Sequence, residues 1–151
     1  RCKGVVDGIT KTGGKAEQLP LPSTAFGNAT AVAEAIKAEL LKDETVDGVI
    51  TISAGDADSA AIGIQQAGKT DTVKLGSFDL NKAGLDRIKG STQAFAIDQQ
   101  PYLQGYLATS LLASHIDFGT VLPTFPVLTG PGIVDSSNID ATLNGVAKGA
   151  R

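Results

Sequence analysis

The sequence predicts an α/β fold, a three-layer parallel sheet with helices on both faces. Two observations carry this. Short strand-like runs alternate with helical stretches of about ten residues, the pattern of βαβ units. The runs are also punctuated by Gly, Asn and Asp at the places where turns and helix caps belong.

Taken in order, residues 2–12 carry Val5, Val6 and Ile9 at helical spacing and stop at Gly13-Gly14. Residues 16–21 read as a short strand before Pro22. Asn28 is placed to cap a helix whose apolar face is Val32, Ala35, Ile36 and Leu40. Asp47-Gly48 turns the chain into Val49-Ile50-Thr51-Ile52, a β-branched run suited to a buried strand. Asp56 or Asp58 is expected to cap the following helix, which carries Ala60, Ala61 and Ile64 and ends at Gly68. Residues 73–78 form the next strand. Asn81 caps a short helix with Leu85 and Ile88, closed by Gly90, and residues 93–97 are another strand.

Pro101 suits the first turn of a helix that runs to about His115 with Leu103, Leu107, Leu111 and Leu112. Pro123 and Pro126 interrupt the stretch that holds Phe125, Val127 and Leu128. The tail from Ile133 reads as a turn followed by an Asn138-capped helix.

Composition narrows the function. The chain has 151 residues, 42% hydrophobic and 19% charged, which is ordinary for a globular domain with a core. The net charge is -3 and the 13 basic residues are scattered, unlike the footprint of a nucleic-acid binder. Cys2 is the only cysteine, so no intrachain disulfide forms, and the apolar runs are too short for a membrane helix. With one His and one Cys no metal cluster is expected, and no cofactor motif is present. His115 falls near a helix end, where surface capping is its expected role. There is no Gly-x-Ser-x-Gly elbow, and Gly13-Gly14 follows a helix, whereas a phosphate loop precedes one.

In open parallel sheets ligands bind beyond the carboxyl ends of the strands, so chemistry is sought there. Asp79 follows the strand at 73–78. Its carboxylate can accept from two adjacent hydroxyls, or it can simply start the turn into the next helix. Gln99 follows the strand at 93–97, and its amide can both donate and accept; Asp98 and Gln100 compete for the same role. Asp56, in Ser53-Ala54-Gly55-Asp56, reads first as a helix cap. Phe26 lies in a loop between turn residues, where its ring either folds onto the core or presents a flat face to a sugar.

At these strand ends the sequence resembles a known family. Gly76-Ser77-Phe78-Asp79, then residues 94–98 leading to Gln99-Gln100-Pro101, resembles the C-terminal half of ribose-type periplasmic binding proteins. Arg1-Cys2-Lys3-Gly4 looks like that family's Arg-x-x-Gly at the start of a lobe-two helix. Ala60 through Gln66-Ala67-Gly68-Lys69 resembles a later lobe-two helix. The match runs in order over essentially the whole chain.

The resemblance implies a sugar receptor. Arg1 would donate to sugar hydroxyls, Phe26 would stack on the ring, Asp79 would accept from vicinal hydroxyls and Gln99 would bridge another. Where the family has Asn after the second lobe-two strand, Asp56 is the nearest substitute, which changes a donor-acceptor for an acceptor. The implied partners are a mono- or small oligosaccharide and a membrane ABC permease, with no nucleic acid, in the periplasm or at the cell surface. Residues 1–100 would be the second lobe, 101–129 a helix and strand of the first lobe, and 130–151 a tail returning to the second. The fold would be incomplete without an N-terminal lobe, and the apolar helix at 101–116 would need that lobe or a second copy of the chain. The same fold serves as the effector domain of LacI-type repressors, which is the competing expectation. A small enzyme using Asp56 and Asp79 is a third reading, unsupported by any nucleophile or base.

Overall fold

The computed structural model describes all residues, Arg1–Arg151. Six helices and four strands follow in order: α1 (Cys2–Lys11), α2 (Ala29–Lys42), β1 (Gly48–Thr51), α3 (Ala54–Gln66), β2 (Lys74–Phe78), α4 (Lys82–Lys89), β3 (Phe95–Asp98), α5 (Pro101–Phe118), β4 (Gly132–Asp135) and α6 (Ile139–Ala147). A single 3-10 turn, Ser23–Ala25, precedes α2. The strands form one sheet in the order β1-β2-β3-β4 with helices on both sides. β1, β2 and β3 are parallel, and β4 runs antiparallel to β3 with Val134 opposite Ala96.

Local chemistry explains most of the boundaries. Asn28 and Asn81 cap their helices as expected, accepting from Ala31 N at 3.1 Å and Gly84 N at 2.6 Å. α3 is capped by Ser53, not by Asp56 or Asp58. The Ser53 hydroxyl accepts from Asp56 N at 3.0 Å and donates to the Asp56 carboxylate at 2.8 Å. A Ser with an acidic residue three places on binds the first turn from both ends, so the helix starts earlier than an Asp cap would allow. α5 continues past His115 to Phe118. Gly119 ends it with a left-handed φ of 66°, and the His115 ring meets Thr120 O at 2.8 Å.

Three further expectations fail. Residues 16–21 form no strand. Pro20 sits inside the run and removes a ladder donor, and Leu19 and Leu21 pack against the first core without pairing. The stretch holding Phe125, Val127 and Leu128 forms no strand either, since Pro123 and Pro126 interrupt it. The segment after Pro131 is not a turn but β4, which finds its partner in β3.

The interior is divided between two clusters. In the first, Val32, Ile36 and Leu40 of α2 meet Ala60 and Ile64 of α3, with Val73 and Leu75 from the approach to β2 and the strand itself. In the second, Leu85 and Ile88 of α4, Ala96, Val134 and Ile139 close around the β3–β4 pair. A polar chain joins the two halves. Arg87 meets Asp58 at 2.7 Å and Gln93 Oε1 at 3.1 Å, Asn81 donates to Asp58 at 2.9 Å, and Gln93 donates to the buried Ser77 hydroxyl at 2.9 Å. By contrast α5 has no buried residue, and Ile116, Phe118, Val121, Phe125 and Leu128 around its end are exposed.

Candidate functional site

Three of the residues singled out in the sequence meet at the carboxyl ends of the parallel strands. Asp79 follows β2 directly and Gln99 follows β3. The register sets Phe78 opposite Ile97, and Asp79 N continues the ladder to Ile97 O at 2.8 Å. Asp79 takes a left-handed φ of 66°, and Gln100, after Gln99, takes 59°. Both conformations are uncommon for residues with a Cβ, and Asp tolerates them better than most. These turns carry Asp79 and Gln99 out of the sheet and toward each other.

Arg1 completes the cluster from the start of α1. Its guanidinium donates to Ile52 O at 2.6 Å, just beyond β1, and to Asp79 at 3.0 and 3.4 Å through two nitrogens. It lies over the Phe78 ring, 5.1 Å from the centroid. The Gln99 amide donates to Asp79 Oδ1, the oxygen that also takes the longer of the two Arg1 bonds. One carboxylate is thus held by two side chains. The Arg1–Asp79 pair is 37% and 35% exposed, so screening leaves it about 1 kcal/mol or less of stability. Its main effect is orientation. The fork fixes the carboxylate plane, while the guanidinium and amide keep unused N–H groups for a ligand.

The other two residues stay outside this cluster. Phe26 does not fold back onto the core. Ala25 beneath it is buried and the ring is 76% exposed, with Gly27 at φ 76° turning the chain into the Asn28 cap. Asp56 is half-buried and engaged with Ser53 in the α3 cap, with no hydrogen bond to Arg1, Asp79 or Gln99. Asp98 is buried beneath the turn and pairs with Arg151, and Gln100 donates to Thr129 O, so of the three competing polar residues Gln99 is the one turned to Asp79. The Ile52 carbonyl and the Phe78 ring were not singled out from sequence. A backbone acceptor has no residue signature, and Phe78 reads as an ordinary strand apolar. No group of three or more His, Cys, Asp or Glu side chains is placed to hold a metal ion, and no helix is long and apolar enough to cross a membrane. The carboxylates displaced below their usual range, Asp43 and Asp135, are held there by hydroxyl and backbone bonds from Thr45 and Ser137, away from this site.

Known proteins are similar to this chain in sequence and fold. Residues 1–120 match the family model described as periplasmic binding protein domain. The xylose/arabinose-binding protein XylF of Sulfolobus acidocaldarius is 30% identical over 103 residues, 65% of this chain and 26% of that protein. A solved carbohydrate transporter from Acidothermus cellulolyticus, in complex with myo-inositol, superposes on 99% of this chain and 51% of its own, with a TM-score of 0.82 and 31% identity. An ABC transporter solute-binding protein from Agrobacterium vitis, bound with α-D-tagatopyranose, covers 97% and 47%, with a TM-score of 0.75 and 26% identity. The chain therefore spans about half the length of these solved relatives and about a quarter of XylF. By this match and by its sheet, the chain belongs to the periplasmic binding protein domain family, among that family's type I sugar-binding relatives.

Proposed function

We propose that the chain supplies one wall of a sugar-binding cleft in the solute receptor of an ABC-type importer. The observation that carries this reading is the Asp79 carboxylate held by Arg1 and Gln99 at the strand ends. A carboxylate flanked by a guanidinium and an amide presents acceptors and donors to adjacent hydroxyls at once, as a sugar or cyclic polyol requires. The exposed Phe26 ring offers an apolar face for a pyranose. The relatives' ligands, xylose or arabinose, myo-inositol and tagatopyranose, are all neutral polyhydroxyl rings or their open forms, and they support the receptor reading over that of a repressor domain. No bond is made or broken; the work is binding, closure and delivery to a permease outside the cytoplasm.

The chain works together with a second lobe. Its length relative to the solved relatives supports this, as does α5, which carries Leu103, Leu107, Leu111 and Leu112 and has no fully buried residue. Residues 101–129 belong with that other lobe and residues 130–151 return to this one, as the β3–β4 pairing favours. Calorimetry with a panel of neutral pentoses, hexoses and inositols tests the reading. The isolated chain should bind weakly or not at all, and the same chain joined to its partner lobe should bind one of them on the order of micromolar. Asp79→Ala should then lower affinity at least about tenfold, since each charge-assisted bond is worth about 1.5–3 kcal/mol. Micromolar binding by the isolated chain overturns the two-lobe claim. Unchanged affinity in Asp79→Ala overturns the site.

A further inference from the structure

We infer that Arg151 and Asp98 form a positioning pair that holds Gln99 in place from behind the binding turn. The inference rests on the proposed site and assigns a role to two residues outside it. Asp98 ends β3, and its side chain is 3% exposed, which makes it the one buried carboxylate of the chain. Its two oxygens have separate duties. One accepts from Gln100 N at 2.8 Å and the other from Arg151 Nε at 2.8 Å.

Arg151 reaches this point from beyond α6. Its carbons pack so close to Gly145 that a Cβ there would lie 3.3 Å from Arg151 Cβ. A Cβ at Gly132 would lie 3.6 Å from its Nη2. The side chain therefore spans α6, the start of β4 and the end of β3. The peptide that Asp98 grips lies between Gln99 and Gln100, where the chain is in the left-handed region. The Gln99 carbonyl on the same peptide accepts from Thr129 Oγ1 at 3.0 Å and Gln104 Nε2 at 2.8 Å. The peptide is thus held on its N–H by Asp98 and on its oxygen by the segments that leave and re-enter the sheet. With Arg151 removed, Asp98 is left as a buried anion with a single backbone partner, a costly state. It must turn toward water, which releases Gln100 N, lets the left-handed φ relax and swings the Gln99 amide away from Asp79.

The pair is separable from general stability by experiment. In Arg151→Met the Gln100 amide should exchange at least about tenfold faster than in the parent chain, while the Lys74 amide, bonded to Asp47 O across the β1–β2 pair, keeps its protection. The Gln99 side-chain amide resonances should move toward those of a free glutamine, and Arg151→Lys should restore part of both. Unchanged Gln99 and Gln100 signals overturn the inference, and so does an equal loss of protection across β1 and β2. Should Arg151→Met not fold, Asp98→Ala removes the oxygen that Gln100 N meets. It must then show the same Gln99 displacement, or the inference fails. These measurements need no sugar, so they stand even if no sugar binds. If the two-lobed protein does bind one, Arg151→Met should weaken it about tenfold and Arg151→Lys less; equal affinity in all three overturns the positioning role.

Discussion

Gly76 shows how tightly a single residue constrains the sheet behind the site. A Cβ at this position would meet the Phe95 ring of the neighbouring strand, with Cε1 at 2.7 Å. The ring cannot retreat without leaving the space above β2. Gly76→Ala should therefore destabilise the chain by about 1–3 kcal/mol in urea unfolding and disturb the strand that ends at Asp79. The residue scale is also where sequence reading reached its limits. Asp79 and Gln99 were legible because a polar residue just past a β-rich run must sit at the sheet's carboxyl end. That Arg1 joins the same site was carried only by the family resemblance, and its contact with Asp79 was not foreseen, since seventy-odd intervening residues leave no local trace. Asp56 was misjudged because Ser53, three places before it, competes for the same helix end and wins by sharing a proton with it.

At the scale of elements, α3 is locked on both sides. Gly63 lets α2 approach so closely that a Cβ would lie 2.6 Å from Ala33 O and 3.2 Å from Ile36 Cβ. Backbone cannot give way as a side-chain tip can. Gly63→Ala should cost more than its better helix propensity returns, with a net loss of about 1–3 kcal/mol and a lowered melting temperature. On its other side, α3 meets α4 through Asn81 and Arg87, both bonded to Asp58. Asn81 caps α4 and bridges to α3 together, so Asn81→Ala should lose about 1–2 kcal/mol, more than Asn28→Ala, which removes a cap alone. If circular dichroism melts rank the two in the opposite order, the bridge contributes nothing. The elements most readable in the sequence were those with local punctuation, α2, β1, α3, β2 and α4. β4 was missed because Gly132-Ile133-Val134-Asp135 is a strand only by virtue of β3, more than thirty residues earlier, and nothing within the segment distinguishes it from a turn.

At the scale of the whole molecule, the outstanding feature is α5. A helix that carries Leu103, Leu107, Leu111 and Leu112 and has no buried residue belongs against another surface. Size-exclusion chromatography of the isolated chain should show self-association, and a monodisperse 15.4 kDa species would contradict it. Addition of the complementary lobe should also raise the melting temperature, because anything that binds only the folded form stabilises it.

The separation of the two cores bears on how the chain comes to be folded. The first core gathers α2, β1, α3 and β2, which are consecutive, so its contacts close over short stretches of chain. The second requires Val134 and Ile139 to find Leu85, Ile88 and Ala96 across the whole excursion of α5 and its trailing segment. That closure is slower, since the connecting chain's entropy is lost before any contact compensates. Within the cleft the longest closure is a different one: Gln99 meets Asp79 across 20 residues of chain, whereas Arg1 reaches it across 78.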